Sequence, residues 1–180
     1  MKNIEKHLKT KNWFNYHDFY KKISKKENFK VFVEIGVWKG HSIIYLSNLL
    51  RDKDVEVYAI DLFNETYKYK KTEEIKYLYD IFKENVKIAN LSDKITPIKS
   101  ISWEASEKFD DDSVDFVFID ADHEYDSVIK DINSWLPKIK KGGIISGHDY
   151  FNPCGVKKAV DEIFGDKTKF DGPCWFVEVD

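Results

Sequence analysis

Two short stretches of the chain gather groups that bind cations and move protons: Asp120-Ala121-Asp122-His123 and His148-Asp149. Each follows an apolar run, VDFVFI in the first case and GGIIS in the second. If those runs are neighbouring parallel strands, Asp120, His148 and Asp149 converge at the carboxyl edge of a sheet. A hard cation such as Mg²⁺ favours the two carboxylates and waters, and there it would hold both oxygens of a diol or catechol and acidify a hydroxyl. His148 is a less typical magnesium ligand; it lies outside the ligand set or signals Mn²⁺ or another transition metal. His123 follows Asp120 by three residues at the start of the next helix, where an imidazole suits a base near neutral pH, and Asp122 is the competing base. Taken singly, each of these residues is equally a helix cap or a partner for loop amides.

Two further strand ends carry polar groups. The first reads Val33-Glu34-Ile35-Gly36-Val37-Trp38-Lys39-Gly40-His41-Ser42, an acid inside a strand followed by glycines four apart at a strand-to-helix turn. Glycine there permits positive φ and close approach of a ligand to the backbone. The spacing is not GxGxxG, whose third glycine and helix start serve a pyrophosphate. S-adenosylmethionine has no phosphate and carries a sulfonium and an ammonium, which an acid such as Glu34 suits. The second end is Ile60-Asp61-Leu62-Phe63, an acid about twenty residues beyond the glycine turn, the placement that holds ribose hydroxyls. Glu34, Gly36, Gly40 and Asp61 together favour adenosine binding; NAD would also accept Asp61, so the glycine spacing separates the two cofactors.

The elements that must position these groups alternate in type. VFVEI, HSIIYLSNLL, VEVYAI, a helical stretch from about Thr72 to Asn90, ITPI, WEASEKF, VDFVFI, SVIKDINSWL and GGIIS form a βαβα succession. Pro137 and Gly142-Gly143 punctuate the exit from the fourth helix and the entry to the fifth strand. VKKAVDEIF is a further helix, and CWFVEV is an edge strand, expected to be antiparallel. The fold class is therefore α/β: a doubly wound, mostly parallel Rossmann-like sheet with helices on both faces. Residues 1–28 form an amino-terminal helical extension, with Trp13, Phe14, His17, Tyr20 and Ile23 at helical spacing, and 29–180 form the ligand-binding domain. That aromatic face is read first as packing and second as a lid or dimer surface.

Bulk properties narrow the partners. In 180 residues, 29 basic and 32 acidic groups leave a net charge of −3, too small to steer the chain onto nucleic acid or an anionic membrane. No run of eighteen apolar residues and no leader-like segment is present, so a cytoplasmic protein with a small-molecule partner is expected. Cys154 and Cys174 belong to no CxxC pair, which leaves free thiols or one bridge open. The Asp110-Asp111-Asp112 cluster reads as a solvated turn.

VFVEIGVWKGHSIIYLS, VYAIDLF, ISWEAS, DFVFIDADHEYDSVIKDI, GGIISGHDY and GVKKAVDEIF together resemble the class I S-adenosylmethionine-dependent methyltransferases. Within them the chain is similar to the compact branch that includes metal-dependent sugar and catechol-type O-methyltransferases. The resemblance runs from about Val31 to Phe164 and is most specific at IDADHEY and GHDY. It implies Glu34 and Gly36 at the methionine end, Asp61 on the ribose, Ser102 at the adenine, and Asp120 beside both sulfonium and metal. Trp38 and Lys39 between the two glycines depart from the common glycine-rich turn. The implied activity is methyl transfer to a small hydroxylated acceptor, with Mg²⁺ or Mn²⁺ assisting. A nicotinamide-dependent oxidoreductase and a non-catalytic cofactor-binding module are the alternatives. Acceptor walls are expected at Asn64 to Lys71, with Tyr67 and Tyr69, and at Tyr150 to Cys154. The compact length leaves little room for an added cap domain, so a partner subunit of a homo-oligomer is expected to complete the pocket.

Overall fold

The structure, a computed structural model, describes residues 14–63 and 76–180 of the chain. Its described elements run α1 (His17–Ile23), β1 (Val31–Ile35), α2 (His41–Leu49), β2 (Glu56–Asp61), α3 (Leu78–Ile88), β3 (Ile95–Lys99), α4 (Ser102–Ser106), β4 (Val114–Ile119), α5 (Tyr125–Trp135), β5 (Ile139–Gly147), α6 (Gly155–Phe164), β6 (Lys169–Asp171) and β7 (Cys174–Glu178). The helical stretch expected from Thr72 is described only as α3, and the segment Asn64 to Lys71 with Tyr67 and Tyr69 lies outside the described residues, as does Trp13.

The strands form one seven-stranded sheet in the order β3-β2-β1-β4-β5-β7-β6. The first five are parallel, and β7 runs antiparallel to both β5 and β6. The antiparallel edge is thus a hairpin: CWFVEV is its inner strand, and the outermost position falls to Lys169–Asp171. The chain reverses direction of winding between β1 and β4, and that switch point is where an open α/β sheet takes ligands.

Both faces of the sheet are covered, so its central strands are apolar without alternation. Every residue of β4 is buried. Phe32, Phe116 and Phe118 face one core with Phe19, Tyr20 and Ile23 of α1 and Ile43 and Leu46 of α2. Val33, Ile35, Val117 and Ile119 face the other, against Val128, Ile132 and Trp135 of α5 and Val156 and Val160 of α6. The one acid inside β4, Asp115, is satisfied: Oδ2 accepts the amides of Lys30 and Val31 at 2.8 Å each, and Lys140 Nζ lies 3.0 Å away. A buried charge survives only with such partners.

Gly142 and Gly143 lie within β5 and do not mark its start. The register jumps from Val114↔Ile139 to Phe116↔Ile144, and Gly142, at φ +77°, carries the bulge that absorbs the surplus residues. Cys154 and Cys174 are free thiols, so the bridge left open by the sequence is not formed. The Asp110–Asp112 turn is exposed, with Asp112 at φ +53°. Among the described residues no helix is long and apolar enough to cross a membrane.

Candidate active site

The turn after β1 is built around Gly36 and Asp61. Gly36 has φ +84°, and a Cβ there would lie 2.1 Å from the carbonyl oxygen of Asp120. Glycine is demanded because the backbones of two strand ends meet at that point. The Gly36 amide donates to Ile60 O at 2.8 Å and the Asp120 amide to Ile35 O at 2.8 Å, which locks the ends of β1, β2 and β4 side by side. Asp61, 4% exposed, closes β2: its Oδ2 accepts the Trp38 amide and its Oδ1 the Phe63 amide, both at 2.8 Å. Trp38 and Phe63 stand at φ +50° and +46°, so the carboxylate secures two non-glycine residues in the left-handed region. Gly40, at φ +86°, precedes α2 and lies where a Cβ would strike the Phe82 ring at 2.8 Å. Glycine there lets α2 pack closely on the Phe82 ring.

Glu34 lies beneath the turn. It is 1% exposed, with Tyr20 donating to Oε2 at 2.8 Å and Ser42 donating to Oε1. Burial raises its pKa to about 8, against the opposing pull of the Ser42 and Tyr20 hydrogen bonds. Ser102 begins α4, and its hydroxyl accepts Trp135 Nε1 at 3.0 Å, tying α4 to α5. Asp131 is buried, and burial pushes its carboxyl up to about 7.

The ends of β4 and β5 converge as their adjacency requires. Ligand-capable atoms of Asp120, His123 and Asp149 all lie within 4.8 Å of one another. His123 Nε2 sits 3.0 Å from Asp149 Oδ2 and 3.7 Å from Asp120 Oδ1. Hydrogen bonding to Asp120 and to Asp149 raises the imidazole to about 10, so it holds its proton at neutral pH. Despite burial, the bonds from His123 and His148 hold Asp149 well below the usual carboxylate range. The sequence expectation put His148 in the cation set and made His123 the base; in the structure it is His123 whose ligand-capable nitrogen gathers with Asp120 and Asp149. His148 turns aside, with Nδ1 3.2 Å from Asp149 Oδ1 and Nε2 3.1 Å from Asn15 Oδ1, and it supports the cluster from behind. Asp122 faces the start of α5: Oδ1 accepts the Glu124 amide at 3.2 Å and Oδ2 the Ser127 hydroxyl at 2.9 Å. Capping bonds of this kind compete with a base's work, and Asp122 is not drawn into the cluster.

Three residues given no such role by the sequence, one of them Asn152 within the expected acceptor wall Tyr150 to Cys154, hold this centre. Gly155 donates its amide to His123 O at 2.9 Å, and its missing Cβ lets the start of α6 reach the Tyr125 amide. Asn152 folds back onto Asp149, which itself stands at φ +61°. Tyr16 donates to Asp120 Oδ2 at 3.2 Å from the segment before α1. A Gly after a loop cysteine and a Tyr in an aromatic helix carry no distinctive spacing, and only tertiary contact reveals them. A surface cavity of about 290 Å³ lined by residues such as Lys26, Phe29, Asp115 and Gly143 lies at the opposite, amino ends of the strands, away from this chemistry.

A family model described as a methyltransferase domain matches residues 33–150. A search of curated proteins by sequence finds no match. Among solved structures, the O-methyltransferase NovP is 19% identical, with 91% of this chain and 78% of that one covered at a TM-score of 0.70. A putative O-methyltransferase from Klebsiella pneumoniae is 15% identical, covering 99% and 87% at 0.71. An O-methyltransferase from Bacillus cereus in complex with SAH is 18% identical, covering 98% and 86% at 0.65. At these identities the likeness is one of fold.

Proposed function

Because the chain belongs to the methyltransferase-domain family, its model spanning residues 33–150, we propose that it transfers a methyl group from S-adenosylmethionine to an oxygen of a small hydroxylated acceptor. A divalent cation assists. The observation that carries this reading is the meeting of Asp120, His123 and Asp149 within 4.8 Å at the carboxyl edge, beside the Gly36 turn.

The donor set suits both groups. Asp61 at the end of β2 offers carboxylate lone pairs to ribose hydroxyls, and Asp120 at the switch point places negative charge where a sulfonium would lie. Two carboxylates and one imidazole suit Mn²⁺ or Mg²⁺, with the imidazole favouring the transition metal. A cation bound there would acidify an acceptor hydroxyl and orient a vicinal diol. Gly155 and Asn152 fix the loops that carry His123 and Asp149. The exposed Phe151 ring, two residues beyond Asp149, supports an acceptor with an apolar or ring-shaped body.

The test is calorimetry with S-adenosylmethionine, S-adenosylhomocysteine and NAD, followed by transfer from methyl-labelled cofactor to a panel of catechols and sugars with Mg²⁺, Mn²⁺ or chelator. Binding of both S-adenosyl compounds and chelator-sensitive labelling of a hydroxyl are expected. Binding of NAD alone would overturn the reading. Full turnover in chelator would remove the cation from it.

A further inference from the structure

Tyr16 lies just ahead of α1 and is only 4% exposed, yet its hydroxyl reaches the edge of the candidate site. It donates to Asp120 Oδ2 at 3.2 Å, while its ring packs on Phe118 with centroids 4.7 Å apart and on His148 at 5.1 Å. The phenol is therefore clamped on two sides by residues of β4 and the end of β5. Behind it lie further polar groups in an otherwise apolar core. The Ser42 hydroxyl donates to Glu34 Oε1, and Tyr20 donates to Glu34 Oε2 at 2.8 Å. Tyr16 and Tyr20 also meet edge-on at 5.1 Å. A buried hydroxyl is costly unless it is satisfied, and Tyr16 finds its acceptor in a carboxylate of the candidate centre.

We propose that Tyr16 is a positioning residue of this site: its hydroxyl fixes the rotamer of Asp120 so that the free Oδ1 faces His123 and Asp149. The importance of Asp120 rests on the methyl-transfer reading; the positioning itself does not. Asp120 has one oxygen on Tyr16 and the other 3.7 Å from His123 Nε2. Without the phenol hydroxyl, both oxygens compete for the His123 side and the carboxylate loses its defined orientation. Asn15, one residue earlier, does the parallel work for His148 through the 3.1 Å contact with Nε2. The segment ahead of α1 thus touches both strand ends that build the centre, a task packing alone would not require.

The test is Tyr16→Phe in the full chain, which keeps the ring contacts and removes only the hydroxyl. Crystal structures of wild type and variant read the Asp120 rotamer directly. A rotated or split Asp120 carboxylate in the variant is expected, with a thermal midpoint close to wild type. In turnover, kcat falls about tenfold while KM for S-adenosylmethionine stays within about twofold, as for loss of one hydrogen bond to a charged group. Tyr16→Trp, which also lacks the hydroxyl but fills the space, does not rescue. An unchanged Asp120 rotamer in Tyr16→Phe overturns the proposal, as does a loss of kcat matched by an equal loss of thermal stability. If wild type shows no methyl transfer at all, the functional reading falls, and the two crystal structures still decide the positioning.

Discussion

The Trp38 amide donates to Oδ2 of Asp61 at 2.8 Å, and Trp38 holds a left-handed backbone at φ +50° without being glycine. The acid that the sequence marks as a candidate ribose ligand is thus a fastening of the turn after β1. Asp61→Ala removes acceptors from two amides, Trp38 and Phe63, and leaves two strained residues unsupported. A loss of about 2 kcal/mol in urea unfolding is expected, because each partly buried donor left unpaired costs roughly 1–3 kcal/mol and water recovers some of that. Asp61→Asn, which keeps one acceptor, falls between. An unfolding midpoint unchanged in Asp61→Ala would show that the turn stands without the carboxylate.

Gly36→Ala is expected to damage the fold as well as cofactor binding. The added Cβ lies 2.1 Å from Asp120 O at a φ of +84°, so the ends of β1 and β4 must separate. Strain and overpacking together cost about 3 kcal/mol. Gly142→Ala is the control: φ is +77°, but nothing lies within 4 Å of the new Cβ, so only the roughly 1 kcal/mol conformational cost applies. Equal thermal midpoints for the two variants would contradict the close contact.

Glu34 makes stability fall as pH rises. Its carboxyl is raised from 4.5 to about 8 in the folded chain, so between those values the native state keeps a proton that the unfolded state has lost. Stability from this group is at its fullest below about 4.5, declines through neutrality, and reaches its floor above about 8, by a total of roughly 5 kcal/mol at most. Glu34→Gln keeps polar contacts to Tyr20 and Ser42 and has nothing to titrate. The variant is expected to exceed wild type in thermal midpoint at pH 9 and to lose that advantage at pH 5. Parallel pH profiles for the two proteins would assign the alkaline loss elsewhere.

His123 offers a test of the cation set that needs no acceptor. Held protonated to about 10 by Asp120 and Asp149, it must give up its proton to become a ligand. Mn²⁺ titrated into the chelated protein at pH 7 is expected to release close to one proton, read by calorimetry in two buffers of different ionisation heat. His123→Gln weakens Mn²⁺ binding by about tenfold or more, on the order of 1.4 kcal/mol. Tight binding with no proton release would take His123 out of the set.

The β-strands on either side of the switch point were legible because burial on both faces forces unbroken apolar runs such as VDFVFI, and Asp61 and Asp120 were legible because they terminate such runs. β6 was not: Lys169-Phe170-Asp171 has one apolar residue and gains its strand from pairing with β7. The glycines of β5 read as a boundary because a bulge and a turn use the same residue. The different surroundings of His123 and His148 were out of reach for a different reason. They follow their strand ends by four residues and one, and what separates them is a partner, Asn15, that lies 133 positions from His148. The enclosure of Glu34 was hidden in the same way, since nothing local announces its partners Tyr20 and Ser42.

The pairing of Tyr16 with Asp120 spans 104 positions, and β1 gains its second neighbour only when β4 exists. During synthesis, at some 5–20 residues per second, the amino-terminal aromatic cluster therefore waits roughly 5–20 s between its own emergence and that of Phe116, Phe118 and Asp120. Over that interval Phe19, Tyr20 and Phe32 lack the strand they are shaped to cover, and the nascent chain presents them to whatever chaperone stands at the ribosome exit. The candidate centre waits longer still, for Asp149 beyond β5, so a chain stalled before β4 has neither the centre nor a closed amino-terminal core.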